Sequence, residues 1–166
     1  MKPYSRTASV LWLGTRFRGK GAIRTASTAL KMAFNGSDGD TTRQGTNPTE
    51  LIAAAHAGSF SLTLANELGE AGFRPQQIDT TATVTMEHAA GWTMTQIHLD
   101  VIAEVPRVAE IDFVDAALRA KANCPISRAL TANISMRARL THLEANGHLK
   151  LRLGRKFKAG RKGAKN

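Results

Sequence analysis

Residues 45–72 read GTNPTELIAAAHAGSFSLTLANELGEAG, and this stretch decides the fold. Asn47 is an N-cap residue, because its side-chain oxygen can take a backbone N–H left unpaired by the first helical turn. Pro48 follows at the first helical position, where its missing N–H costs nothing. Glu50, three residues after Asn47, completes a capping-box-like pair. Gly69 and Gly72 offer the left-handed conformation that ends helices. Between these marks, Leu51, Ile52, Ala54, Ala55, Phe60, Leu62, Leu64, Ala65 and Leu68 leave almost no polar face. A helix apolar all round is expected to be buried on every side. Its length of about 22 residues would suffice for a membrane span. Glu50, His56, Asn66 and Glu67 interrupt the apolar run, so the stretch reads as a central core helix.

Outward from that helix, the N-terminal side reads as two strands. Residues 6–13 alternate through Ala8, Val10 and Trp12, residues 14–21 form an Arg- and Gly-rich turn, and residues 22–27 return as the second strand of an antiparallel hairpin. Residues 31–45 carry the turn pairs Asn35-Gly36 and Asp38-Gly39 and read as loop. On the C-terminal side, residues 78–87 and 93–105 alternate as two strands turned at Ala89-Ala90-Gly91. Residues 110–123 place Ile111, Val114, Leu118 and Ala122 at helical spacing. Cys124-Pro125 breaks that helix and opens a short one over 126–130, and residues 133–140 form a last strand. The order ββ–α–ββ–α–α–β is an α+β class with antiparallel hairpins around long helices.

The net charge of +10 suggests nucleic acid until it is located. Eight of the positive charges, and no acid, lie in residues 150–166, leaving only +2 for residues 1–149. The chain therefore reads as a single domain over 1–149 followed by a basic, Gly-containing tail over 150–166. The tail reads either as an anchor for nucleic acid or an anionic surface or as a solubilising or adventitious extension; few aromatics interleave for base stacking, which favours the second, and nucleic acid is not an expected partner. The first six residues hold no apolar run, and the single Cys124 suits a reducing compartment. Both point to a cytoplasmic protein that does not enter the membrane.

Few residues offer chemistry. Cys124 sits at a helix start, where backbone N–H groups can favour the reactive thiolate, and its position alone fits an inert buried cysteine equally well. His56 lies mid-helix with Ser59 and Phe60 at i+3 and i+4, which is no metal-ligand pattern, and it reads as a core or interface histidine. Ser59 lacks a nucleophile elbow. Neither a P-loop nor a dinucleotide fingerprint is present, and no cofactor or metal is expected.

Taken together, TNPTELIAAAHAGSF, EAGF, IDTTATV and AKANCPISRAL, in this order over residues 6–142, resemble the OsmC/Ohr family, the osmotically inducible and organic hydroperoxide resistance proteins. The runs NPTELIAAAHA and EAGFRP are closer to the OsmC branch. The resemblance implies an intertwined homodimer, with the two long helices packed together between wrapped sheets. It implies a cysteine-dependent peroxidase acting on organic hydroperoxides in oxidative and osmotic stress. In that chemistry a thiolate attacks the O–O bond and becomes a sulfenic acid, a second cysteine resolves it as a disulfide, and a lipoyl-type dithiol reduces both. Cys124 falls on the resolving cysteine and Glu50 on the active-site acid. Ser59 stands where the peroxidatic cysteine is expected, and a serine hydroxyl cannot become a sulfenic acid. The family arginine has only a displaced candidate, Arg43. Ser59 therefore reads either as an introduced Cys→Ser change or as natural divergence toward a ligand-binding module without turnover, and the displaced arginine favours divergence. Glu50 and Ser59 are nine residues apart, about 900° around a helix, so they face opposite sides. Glu50 is therefore expected to serve the partner's site, unless the helix bends near Gly58.

Overall fold

The computed structural model describes residues 3–15, 18–36 and 44–141. The element order is β1 (Ala8–Leu13), β2 (Lys20–Thr25), β3 (Lys31–Phe34), α1 (Pro48–Glu70), β4 (Gln77–His88), β5 (Trp92–Glu104), α2 (Glu110–Asn123), α3 (Pro125–Ala129) and β6 (Asn133–Thr141). These build two three-stranded sheets, β1-β2-β3 and β4-β5-β6. Arg43 and the basic segment 150–166 lie outside the described residues.

The segment expected to be loop contains β3, paired antiparallel to β2 with Gly21 opposite Phe34 and Arg24 opposite Lys31. The turn pairs that follow hid a four-residue strand whose last member packs on Trp12, ring centroids 6.3 Å apart and edge-on. The Trp12 indole lies across the backbone of Gly21 and Gly36, where an added Cβ would come within 2.8 Å of the ring. Glycine at these two places is what lets the indole close down on the sheet.

The second sheet also departs from the all-antiparallel expectation. β4 and β5 form the long antiparallel hairpin, with a register shift at Thr85/Met86. β6 instead runs parallel to β5, Gln96 opposite Asn133 through Glu104 opposite Thr141. A parallel neighbour needs a crossover, and α2 with α3 supplies it. Ile97, Leu99, Val101 and Ala103 of β5 point inward and are fully buried.

α1 packs on β4, α2 and α3 through one stripe, His56, Phe60, Leu64, Glu67 and Leu68. The expectation of burial all round is corrected within the single chain: Ala54, Ala55, Gly58 and Leu62 face outward, and Leu62 is 76% exposed. The Asn47 cap forms as expected, its Oδ1 accepting from the Glu50 N–H at 2.9 Å. The Glu50 carboxylate does not return the bond to Asn47. It accepts from Thr46 Oγ1 at 3.1 Å. At the far end Ala71 caps the helix and Gly72 takes the left-handed φ of 85°, while Gly69 stays helical.

In α2 the buried stripe is Phe113, Ala116, Ala117 and Ala120, not the Ile111–Leu118 series. Ile111 and Leu118 are exposed. Small residues around the large Phe113 ring let α2 approach α1 closely, and the same spacing carries on to Cys124 at the helix end. No helix among the described residues is long and apolar enough to cross a membrane.

Candidate functional site

Cys124 closes α2 and precedes α3, and it is fully buried. Its position follows from the α2 stripe, which drives the side chain toward α1, and from Pro125, which ends one helix and begins the next. The thiol donates to Ser59 Oγ at 3.3 Å across the α1–α3 contact. Ile126 and Ser127 follow Cys124 in the first turn of α3. Burial pushes the thiol's pKa up. The polar surroundings at Ser59, Ser127 and Ile126 outweigh it and set the thiol below its ordinary value. The thiolate is the reactive form of a cysteine, so a shift in this direction favours reactivity at Cys124.

His56, expected as a core or interface histidine, is indeed wholly buried, but it belongs to this cluster. Its Nε2 lies 2.8 Å from Ser127 Oγ. Burial lowers its pKa, so the neutral ring is the resident form. The signal was available in two spacings: His56 stands three residues before Ser59, and Ser127 three after Cys124. On helices each pair shares a face, so joining Ser59 to Cys124 also joins His56 to Ser127.

The Cys124–Ser59 pair is therefore brought together, whereas Glu50 is not part of it. α1 runs unbroken past Gly58. Nine residues along a straight helix place Glu50 about 14 Å from Ser59 and on the other face. Glu50 is exposed.

A second polar cluster, around the buried Glu67, sets the α2 end. Glu67 on α1 accepts from Asn123 Nδ2 at 2.7 Å and from Arg119 Nε at 2.9 Å. Asn123 directly precedes Cys124, so this carboxylate fixes the turn that carries the sulfur. The hydrogen bonds from Asn123 and then Arg119 hold the Glu67 carboxyl below its ordinary value; burial opposes them and the Arg119 charge adds to them. A depressed pKa gives stability that is full above the unfolded carboxyl's pKa and is lost as pH falls through the folded one. Arg119 is half exposed, which screens the pair. Glu67→Gln is expected to lower stability at pH 7 by about 1 kcal/mol, with the difference shrinking below about pH 4. Urea unfolding at both pH values checks this; an equal loss at acid pH would show that the charge is not what matters.

A buried thiol held between the hydroxyl of a long helix and the turn of a second one, in an α+β fold of two small sheets, defines a thiol-site scaffold. Known proteins share the fold. The family model for OsmC-like proteins matches residues 38–139. Peroxiredoxin OsmC of Escherichia coli strain K12 is 43% identical over 130 residues, covering 75% of this chain and 89% of that protein. The OsmC-like protein of Mycoplasma pneumoniae superposes with a TM-score of 0.71 at 11% identity, over 85% of this chain and 100% of that one. The organic hydroperoxide resistance protein OhrB of Bacillus subtilis gives 0.60 at 20% identity, over 81% and 98%. The chain belongs to the OsmC family.

Proposed function

We propose that this chain is an OsmC-type thiol peroxidase that reduces organic hydroperoxides with Cys124 as its working sulfur. The observation that carries the reading is the 3.3 Å contact between Cys124 Sγ and Ser59 Oγ at the α1–α3 junction. The Cys124 thiolate attacks one peroxide oxygen. The O–O bond breaks, sulfur is oxidised by two electrons to the sulfenic acid, and the alkoxide leaves and takes a proton. Ser59, at the position of the expected peroxidatic cysteine, is a hydrogen-bond partner and not a nucleophile. With no second cysteine in the chain, a lipoyl-type dithiol attacks the sulfenic acid, water leaves, and the dithiol's other sulfur displaces Cys124 as the free thiol.

Supporting a homodimer, the β1-β2-β3 sheet is joined to the rest of its own chain chiefly through the Phe34–Thr46 bridge. It exposes Val10, Leu11, Leu13 and Met32, and α1 exposes Leu62. A second copy covering these surfaces buries the long helix on both sides and brings its own Glu50 toward the Cys124 site, which answers the opposite-face geometry. We read residues 1–149 as one domain with a basic tail over 150–166, working in the cytoplasm.

The experiment is consumption of cumene hydroperoxide with dihydrolipoamide, alongside trapping of the sulfenic acid with dimedone, on the parent and on Cys124→Ser. The parent is expected to turn over and to form one adduct at Cys124. Cys124→Ser is expected to do neither. Equal rates in both, with no adduct, would overturn the reading. The second reading, a ligand-binding module without turnover, draws on the complete burial of Cys124. It gains if hydroperoxide binds without being consumed.

A further inference from the structure

The apolar stripe that packs α2 on α1 ends at Ala120; Lys121 is half-buried, and Ala122 and Asn123 are exposed. Cys124, one residue further, belongs to two helices. Its N–H donates to Ala120 O at 2.8 Å, and its carbonyl accepts from the Arg128 N–H at 3.0 Å. These bonds fix the turn internally but not its seat on α1. From residues 123–127, three side chains reach that helix: Cys124 Sγ donates to Ser59 Oγ at 3.3 Å, Ser127 Oγ lies 2.8 Å from His56 Nε2, and Asn123 Nδ2 donates to Glu67 Oε1 at 2.7 Å. His56 and Ser59 are about 4.5 Å apart along α1, a base short enough for the turn to pivot on. Glu67 lies eight residues beyond Ser59, about 12 Å along the helix. Asn123 and Cys124, whose Cα atoms are about 3.8 Å apart, are thus fastened to distant points of one rod. A third anchor that far from the other two stops the pivot.

We propose that Glu67 is a positioning residue for Cys124: through Asn123 it supplies the distant anchor that keeps Cys124 Sγ on Ser59 Oγ. This deepens the reading of Cys124 as the working sulfur and rests on it. Glu67 does not touch the sulfur and acts through the Asn123 amide. The carboxylate's other oxygen, Oε2, accepts from Arg119 Nε at 2.9 Å. Each donor therefore has an oxygen of its own, and losing one leaves the other bond in place. Once Cys124 ionises, the Ser59 hydroxyl donates to the sulfur, and a hydrogen bond to the charged form favours that form. With the anchor cut, the sulfur spends part of its time away from Ser59, and the thiolate loses that support. Asn123 is exposed, so truncating it leaves its place to water and creates no cavity in the core.

The test reads the thiolate absorbance of the only cysteine against pH in the parent, Asn123→Ala, Arg119→Met, Ser59→Ala and the Asn123→Ala/Ser59→Ala double variant. Ser59→Ala is expected to raise the midpoint by about one pH unit and Asn123→Ala by about half a unit. The double variant should match Ser59→Ala, because Asn123 acts only through that contact. Arg119→Met removes the other bond to the same carboxylate and leaves the anchor. Its guanidinium is half exposed and screened, so the midpoint should stay within about 0.2 units of the parent's. A cluster that served only stability would move the midpoint in neither variant or in both alike. Lys121, Arg128 and His56 stand unchanged in every variant, so differences in midpoint come from the substituted side chains. An unchanged midpoint in Asn123→Ala or in Ser59→Ala, an equal shift in Arg119→Met, or additive shifts in the double variant overturns the proposal. The readout needs no peroxide. A missing turnover with the shifts present sinks only the peroxidase reading, whereas turnover without the shifts sinks only the anchor.

Discussion

Ser59→Cys is expected to raise dithiol-dependent hydroperoxide turnover by about a thousandfold over the parent. In the parent, the sulfenic acid at Cys124 waits for an external dithiol, which an assay supplies at about 1 mM. A cysteine at position 59 places a second sulfur where Ser59 Oγ now lies, 3.3 Å from Cys124 Sγ. An effective concentration of only about 1 M for that neighbour, far below the upper values for well-oriented groups, already gives the factor. Attack on the peroxide by the introduced thiol leaves a sulfenic acid at position 59. Cys124 condenses with it, water leaves, and the dithiol reduces the disulfide. Forming a bond of about 2.05 Å from that contact asks for roughly 1 Å of approach, within the reach of χ1 adjustment. Stopped after one peroxide equivalent without dithiol, the variant should show both sulfurs blocked to alkylation. If the disulfide forms and turnover stays at the parent's level, resolution is not the slow step. The placing of a peroxide-polarising cation, for which the sequence offers the displaced Arg43, would then limit the rate.

The long helix and its cap were legible because their signals are local: Asn47, Pro48 and the apolar run act within a few residues of one another. The same locality gave β4, β5, α2 and β6 nearly to their ends. What sequence could not supply was partner choice between elements. Strand alternation says which face of β6 is apolar and nothing about its direction, so its parallel placement beside β5 came only with the crossover. In α2 two apolar series compete, 111/114/118/122 and 113/116/117/120. Helical spacing alone does not rank them, and the large Phe113 beside the small Ala116, Ala117 and Ala120 of its own helix does once α1 is known to pack there. The site divided in the same way. Cys124 and Ser59 were readable as types, and the two three-residue offsets that recruit His56 and Ser127 become visible only once α1 and α3 are known to touch. Glu50 was placed off the Ser59 face by helix arithmetic alone, and the unbroken α1 agrees with it.

Leu62→Asp separates a chain that works alone from one that works in pairs. In an isolated chain Leu62 is 76% exposed, and exchanging it for a carboxylate should change stability by no more than about 0.5 kcal/mol. In the homodimer it lies on the outward face of α1, beside Ala55 and Gly58, where the second copy's helix is read to pack. An unpaired carboxylate buried there costs several kcal/mol. About 4 kcal/mol is a factor of about a thousand in the dimer dissociation constant. Sedimentation across a concentration series should therefore find the parent dimeric and Leu62→Asp monomeric at concentrations where the parent is fully paired. The variant should also unfold at lower temperature, because separation uncovers the β1-β2-β3 sheet, which has little support from its own chain. Activity adds the sharper contrast. If Glu50 reaches Cys124 from the other copy, Leu62→Asp loses turnover together with pairing, although the substituted side chain is on the face of α1 away from the sulfur. A parent that sediments as a monomer, or a variant that pairs and turns over unchanged, would leave the opposite-face position of Glu50 without a function.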